Sequence, residues 1–126
     1  VRSSAASDVY KRQQNNIQVK ILSCEGVEAQ QAVVITFMVT NIERGNDDSA
    51  RWLFDNAVDT EGGTYGKYSW DKLDGGSNYL DLPTNIPVKR KCYITNVYDK
   101  ISGFSFLKFN IKNCVVTIKN LPVTWR

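Results

Sequence analysis

The chain has 126 residues, of which 42% are hydrophobic and 11% aromatic, and its formal net charge is +3 at neutral pH. This length favours one domain, and the composition excludes both a disordered chain and a membrane-spanning one. The sequence contains no histidine. Its absence excludes catalysis by Ser-His and Cys-His pairs and most zinc sites.

The first thirteen residues, VRSSAASDVYKRQ, show neither the period of a strand nor that of a helix. Residues 8–13 also resemble a translated sequencing-adapter scar, so we expect residues 1–13 to be disordered or foreign and leave them out of the fold. On this interpretation the true upstream sequence, with any signal peptide or lipoprotein cysteine, is missing. Residues 14–126 form the predicted domain.

From residue 16 onwards, apolar residues recur at every second position in runs closed by Gly, Asn, Asp or Pro, which predicts antiparallel strands. The predicted strands cover residues 17–24, 32–41, 50–58, 87–96, 104–111 and 114–123, with a Gly-rich hairpin region between the third and the fourth. Lys112 and Asn113 separate the last two runs, and this spacing predicts a tight hairpin because Asn tolerates positive φ.

The alternation also predicts which side chains face the core. In the first three strands these are Ile17, Val19, Ile21, Val33, Ile35, Phe37, Val39, Trp52 and Phe54. Asn56 falls on the same face as Trp52 and Phe54. In the strand at 104–111 Phe104, Phe106, Leu107 and Phe109 are assigned to the core, although the alternation places Leu107 opposite to Phe104 and Phe106, where an apolar residue would mark a partner-facing patch.

About seven short strands without intervening helices predict two packed antiparallel sheets, that is, an all-β immunoglobulin-like sandwich, with a closed barrel as the alternative. The Cys-Trp-Cys core of antibody domains is not met, because Cys24 ends the first strand. Three cysteines cannot all pair within one chain. Cys92 and Cys114 alternate with apolar residues, which favours buried free thiols and leaves a Cys92–Cys114 bridge as the other possibility.

Residues that carry chemistry are scattered along the chain. No two acidic residues stand out as a catalytic pair, and the three carboxylates within residues 55–61 lack the spacing of a calcium-binding loop. The basic cluster at residues 89–91 is interpreted as a solvated strand end, since a nucleic-acid interface needs basic groups gathered on one face. We therefore expect no enzyme activity, no metal site, no cofactor and no nucleic-acid partner.

Residues 62–82 combine four aromatic rings with glycines and polar side chains. Rings that have an apolar face and a polar edge are typical of recognition surfaces, and Asp or Asn beside them suits the hydroxyls of a sugar. The candidate ligand-binding residues are Tyr65, Tyr68, Trp70, Asp71, Asn78 and Tyr79. In the alternative interpretation Tyr65 and Tyr68 cover the open edge of the sandwich and Trp70 closes its core.

Four stretches follow one another in a familiar order: VVITFMVTN, AVDTEGGTY, LPTNIPVKRKCYITNV and FSFLKFNIKNCVVTIKNLPV. In this order they resemble the telokin-like immunoglobulin-type domains of bacterial secreted proteins and lipoproteins. The residues that carry the resemblance are Thr40, Asn41, Asp59, Gly62, Tyr65, Pro87, Val88, Lys89 and Lys91. It covers most of residues 16–124 and implies a bacterial extracytoplasmic protein, at the cell surface, in the periplasm or secreted, with no catalytic residues to carry over.

The leading hypothesis is therefore a non-catalytic extracytoplasmic accessory or protein-interaction module. One alternative is a carbohydrate-binding module that uses the aromatic residues of 62–82, and a weaker one is a structural subunit of a surface appendage or phage particle. The expected partner is a protein or a surface glycan, and membrane contact is expected only through an N-terminal anchor. The sequence leaves the oligomeric state open.

Overall fold

The computed structural model describes residues 11–14, 16–42, 48–66, 69–71, 73–74 and 77–126. Within these ranges the chain forms eleven strands and a short 3-10 turn at Glu28–Gln30. The strands are β1 (Lys11–Gln14), β2 (Ile17–Val27), β3 (Ala32–Asn41), β4 (Asp48–Asp59), β5 (Thr64–Tyr65), β6 (Trp70–Asp71), β7 (Tyr79–Leu82), β8 (Val88–Ile94), β9 (Gly103–Ile111), β10 (Cys114–Pro122) and β11 (Thr124–Trp125).

The strands form two sheets whose apolar faces pack against each other. The first sheet has the order β1-β2-β3-β8-β6, with β11 also paired to β2, and the second has the order β10-β9-β4-β5, with β7 also paired to β4. The order β2-β3-β8-β6 opposite β10-β9-β4 corresponds to the A-B-E-D and G-F-C sheets of the immunoglobulin fold. The predicted all-β sandwich is confirmed, and its framework consists of these seven strands.

The predicted inward faces of β2 and β3 are confirmed, because the apolar residues named for both strands are fully buried. The predicted hairpin between β9 and β10 is confirmed as well. Ile111 pairs with Cys114, and both Lys112 and Asn113 have positive φ, of 46° and 64°. Such a two-residue turn follows the twist of the strands it joins.

Asn56, Phe106 and Leu107 differ from strict alternation, and β-bulges explain all three. Asn56 is exposed, because Asp55 is an extra residue in β4 and Ala57 takes the inward position. Leu107 is fully buried, as its assignment to the core predicts, and does not form a partner-facing patch. Phe106, also assigned to the core, is only half-buried on the outer face, because Ser105 is an extra residue in β9. A bulge shifts every following side chain to the other face, so strict alternation misplaces the residues beyond it.

An aromatic contact joins the two sheets at the centre of the core. The ring centroids of Phe37 on β3 and Phe109 on β9 lie 5.6 Å apart, and Trp52 on β4 lies 6.1 Å from Phe109. All three side chains are fully buried. In antibody domains the corresponding strands carry a disulfide bridge with a tryptophan packed against it. Here ring packing holds the sheets together at that place.

The three thiols are free and buried, as the alternation predicts for Cys92 and Cys114. Cys24 and Cys92 both pair with Ile35, one from each side, so their Cα atoms lie about 10 Å apart, too far for a disulfide. Burial raises the pKa of Cys24 to about 12, and the neighbouring carboxylate of Glu25 adds to the shift. These thiols stay protonated and therefore unreactive at neutral pH.

β1 lies partly within the segment that sequence analysis leaves out of the fold. Its four residues pair with β2, and Arg12 and Gln14 reach across to the second sheet. The Arg12 Nε–H donates to the carbonyl oxygen of Val115, and the Val115 N–H donates to Gln14 Oε1. The strand is held by backbone pairing and polar side chains, and for that reason it shows no apolar period.

We predict that Phe109→Ala lowers the free energy of unfolding by about 3–5 kcal/mol, because it removes a buried ring from the contact between the sheets. Phe106→Ala is the matched control, since Phe106 lies half-buried on the other face of the same strand. Its expected cost is below about 1.5 kcal/mol. Urea denaturation measures both, and equal losses would contradict a central role for Phe109.

Candidate functional site

Tyr65 belongs to a hydrogen-bonded turn between β4 and β5. Asp59, only 5% exposed, ends β4 and accepts three hydrogen bonds. Its Oδ1 accepts from the backbone N–H groups of Glu61 at 2.8 Å and Gly63 at 2.9 Å, and its Oδ2 accepts from the Tyr65 hydroxyl at 2.7 Å. The Tyr65 ring is buried edge-on against Phe104. This tyrosine therefore fixes a turn and packs in the core.

The hydrogen bonds at this turn determine the charge of Asp59. Burial alone raises the pKa of a carboxyl group, but the bonds from Tyr65, Gly63, Glu61 and Gly62 outweigh it and hold the pKa of Asp59 below its usual value. Burial and the bond to the carboxylate raise the pKa of Tyr65. The pair is thus a carboxylate and a neutral phenol at neutral pH.

Trp70 lies in the other sheet. It starts β6 and pairs with Ile94 of β8, and its half-buried ring meets Trp52 edge-on at a centroid distance of 5.3 Å. The backbone of Asp71 pairs with Tyr93, while the side chain of Asp71 and the whole of Tyr68 lie outside the described residues. Trp70 thereby closes the core above Trp52.

Asn78 and Tyr79 lie at the far end of β4. The carbonyl oxygen of Asn78 accepts the N–H of Trp52, and its side-chain oxygen is buried. Tyr79 pairs with Arg51 and is 58% exposed. Tyr65 pairs with Ala57, six residues further along β4, which places these two tyrosines about 20 Å apart. The described members of the candidate set do not form one surface.

A second candidate binding surface lies on the outer face of the first sheet. Lys20 on β2, Met38 on β3 and Lys89 on β8 lie directly opposite one another in neighbouring strands. Lys91, two residues beyond Lys89, lies opposite Thr36. The three lysines are exposed and Met38 is half-buried. We call these lysines, with the residues between them, the lysine face.

The basic cluster of the sequence is divided between the two sides of β8. Lys89 and Lys91 face the solvent, as the interpretation of solvated residues expects, whereas Arg90 turns to the other side. There its Nε–H donates to Asp74 Oδ1 at 2.9 Å, and it also donates to the backbone oxygen of Asp74. Burial raises the pKa of Asp74, but the bonds from Arg90 and the Lys91 N–H outweigh this and lower it. Arg90 is therefore neutralised, and the two lysines are not.

A depression of about 250 Å³ lies beside Met38 on the lysine face. It is lined by Lys11, Gln18, Lys20, Met38, Thr40 and Pro87. Lys11 pairs with Lys20 across β1 and β2, and like charges directly opposite each other are destabilising. Among the described residues, no carboxylate forms an ion pair with Lys11, Lys20, Lys89 or Lys91. Within the described residues, the face thus presents positive charge that no ion pair neutralises, around the half-buried side chain of Met38.

Comparison with protein-family models, with curated proteins and with solved structures finds no match for this chain. In the part of the chain that the structure describes, no group of three or more cysteine and acidic side chains is arranged to hold a metal ion. No helix among those residues is long and apolar enough to cross a bilayer.

We predict that Asp59 makes the free energy of unfolding depend on pH in the acid range. Because the pKa of Asp59 is lowered in the folded state, its contribution is complete above the unfolded value of about 3.9 and is lost as the pH falls through the folded value. Asp59→Asn should therefore flatten the loss of unfolding free energy below pH 4, as urea titrations would measure. Asp81→Asn, on the exposed side of β7, is the control, and an unchanged slope in Asp59→Asn would contradict the assignment.

Replacing Trp70 or Tyr79 by alanine compares the removal of a ring that packs on the core with the removal of an exposed ring. Trp70→Ala should lower the free energy of unfolding by about 2 kcal/mol, roughly half the cost of removing a fully buried ring. Tyr79→Ala, which removes an exposed ring, should change it by less than about 0.5 kcal/mol. Thermal and urea denaturation of both variants measure the difference. Equal stability of Trp70→Ala and the parent would refute the packing of Trp70 on the core.

Proposed function

We propose that this domain is a non-catalytic protein-interaction module and that the lysine face binds its partner. The observation that carries the proposal is the row of Lys20, Met38 and Lys89 on three neighbouring strands, with Lys91 beside it. Charges that form no ion pair with the described residues of the fold are available to a partner outside it. A complementary partner presents carboxylates to this face.

Electrostatics supports binding of this kind. Exposed charges within about 10 Å of each other act together at moderate ionic strength, and a face of one sign speeds the approach of an oppositely charged partner. Half-buried Met38 adds an apolar contact with a flexible side chain that adapts to different shapes. The combination of a charged rim and an apolar centre is typical of protein interfaces.

The place of action is a further part of the proposal. The resemblance to telokin-like domains of bacterial secreted proteins and lipoproteins supports an extracytoplasmic accessory role, and no other observation supports it.

The carbohydrate-binding alternative needs rings that share a surface. Tyr65 and Tyr79 lie at distant positions of β4, and Trp70 lies in the other sheet, so this alternative has less support. The appendage or phage subunit stays a prediction.

Charge reversal on the lysine face tests the proposal. Poly-L-glutamate is the probe, and binding is measured by calorimetry at low and at high salt. We expect Lys20→Glu and Lys89→Glu each to weaken binding at least about tenfold at low salt, because each replaces an attraction by a repulsion. The matched control is Lys119→Glu, which makes the same charge change on exposed β10 of the other sheet.

Two results would contradict this function. One is that the folded parent does not bind the probe, and the other is that Lys119→Glu weakens binding as much as Lys20→Glu does. Circular dichroism of every variant shows whether it is folded. Salt should abolish the difference between parent and variant, since screening acts on exposed charges.

A further inference from the structure

We infer that the lysine face recognises one kind of partner: an extended protein segment in which an apolar side chain lies between two acidic ones. This inference rests on the proposed function and specifies its ligand. It follows from the order of side chains across the sheet, which is lysine on β2, methionine on β3 and lysine on β8. The face offers a charge, an apolar contact and a second charge in one line.

The spacing of this line fits an extended chain. Neighbouring strands lie about 4.8 Å apart, so the backbone positions of Lys20 and Lys89 are about 10 Å apart with Met38 midway. In an extended segment, side chains two residues apart share a face at about 6.8 Å, which puts two carboxylates on that face, with an apolar residue midway, about 14 Å apart. The flexible four-carbon stems of the lysines reach across the difference.

The depression beside Met38 is large enough for the apolar side chain. Its volume of about 250 Å³ exceeds the roughly 150 Å³ in which a buried cavity accommodates benzene. Thr40 and Gln18 at its rim supply polar groups for the backbone of the segment. A uniformly charged polymer such as poly-L-glutamate binds the lysines but places a charged group over Met38, so it lacks the apolar contact and binds more weakly. Sulfated glycans and nucleic acids are therefore poorer ligands than an acidic protein segment.

The experiment compares two synthetic peptides on the full chain. One peptide contains the motif Glu-Ser-Leu-Ser-Glu, and in the other serine replaces the leucine, so the charge and length are identical. We expect the leucine peptide to bind the parent roughly tenfold more tightly, as burial of one large apolar side chain allows. Met38→Gln should remove this preference and keep the binding of the serine peptide. Met38→Leu, which keeps an apolar side chain, should retain the preference.

The outcomes separate this inference from the proposed function. Equal binding of the two peptides to the parent, lost in Lys20→Glu, would overturn the inference and leave the interaction module intact. Binding of heparin or of phosphatidylglycerol vesicles, with no binding of either peptide, would overturn both. Concentration-dependent dimers in light scattering that Lys20→Glu abolishes would identify a second copy of the chain as the occupant and overturn the inference.

Discussion

The contact of Phe37 and Phe109 across the two sheets is the interaction on which the rest of the structure depends. Each sheet has an apolar face that is stable only when the other sheet covers it, and the rings of Phe37, Phe109 and Trp52 fill the centre of that space. In immunoglobulin domains with a disulfide at this place, a covalent bond fixes the distance between the sheets. Here no disulfide joins the sheets, side-chain packing with these rings at its centre sets the distance, and the buried thiols at Cys24 and Cys92 act as small apolar residues.

Much of this fold is predictable from the sequence because the sandwich buries one face of each strand. Alternation holds along β3 and in β2 as far as Ile21, and the hairpin at Lys112 and Asn113 has the turn residues that its conformation requires. The bulges at Asp55 and Ser105 were not predictable, since an extra residue in a strand leaves no sign in composition. For that reason strict alternation places Leu107 on the face opposite to Phe104, although both side chains are fully buried.

The grouping of residues in the candidate site is not predictable from alternation within single strands. Alternation alone turns Lys20 outward in one strand and Lys89 and Lys91 outward in another, but only the pairing of β2 with β3 and of β3 with β8 brings them to one face. Sequence separation hides this proximity. The aromatic residues of 62–82 stand out in the composition, whereas the carboxylate that accepts the hydrogen bond of Tyr65 lies before that segment, at Asp59. Spacing within one segment does not reveal a partner outside it.

The two faces of the first sheet have opposite effects on stability. On the outer face, directly opposed like charges such as Lys11 and Lys20 cost about 0.2–1 kcal/mol per pair. On the inner face a single buried ring such as Phe37 contributes about 3–5 kcal/mol. The stabilisation from one core ring therefore exceeds the repulsion of such a lysine pair several-fold, and the sheet keeps its shape although the described residues give its outer lysines no ion pair. A partner segment that carries carboxylates would gain electrostatic attraction to these lysines. This gain is the physical reason to regard the lysine face as a binding surface.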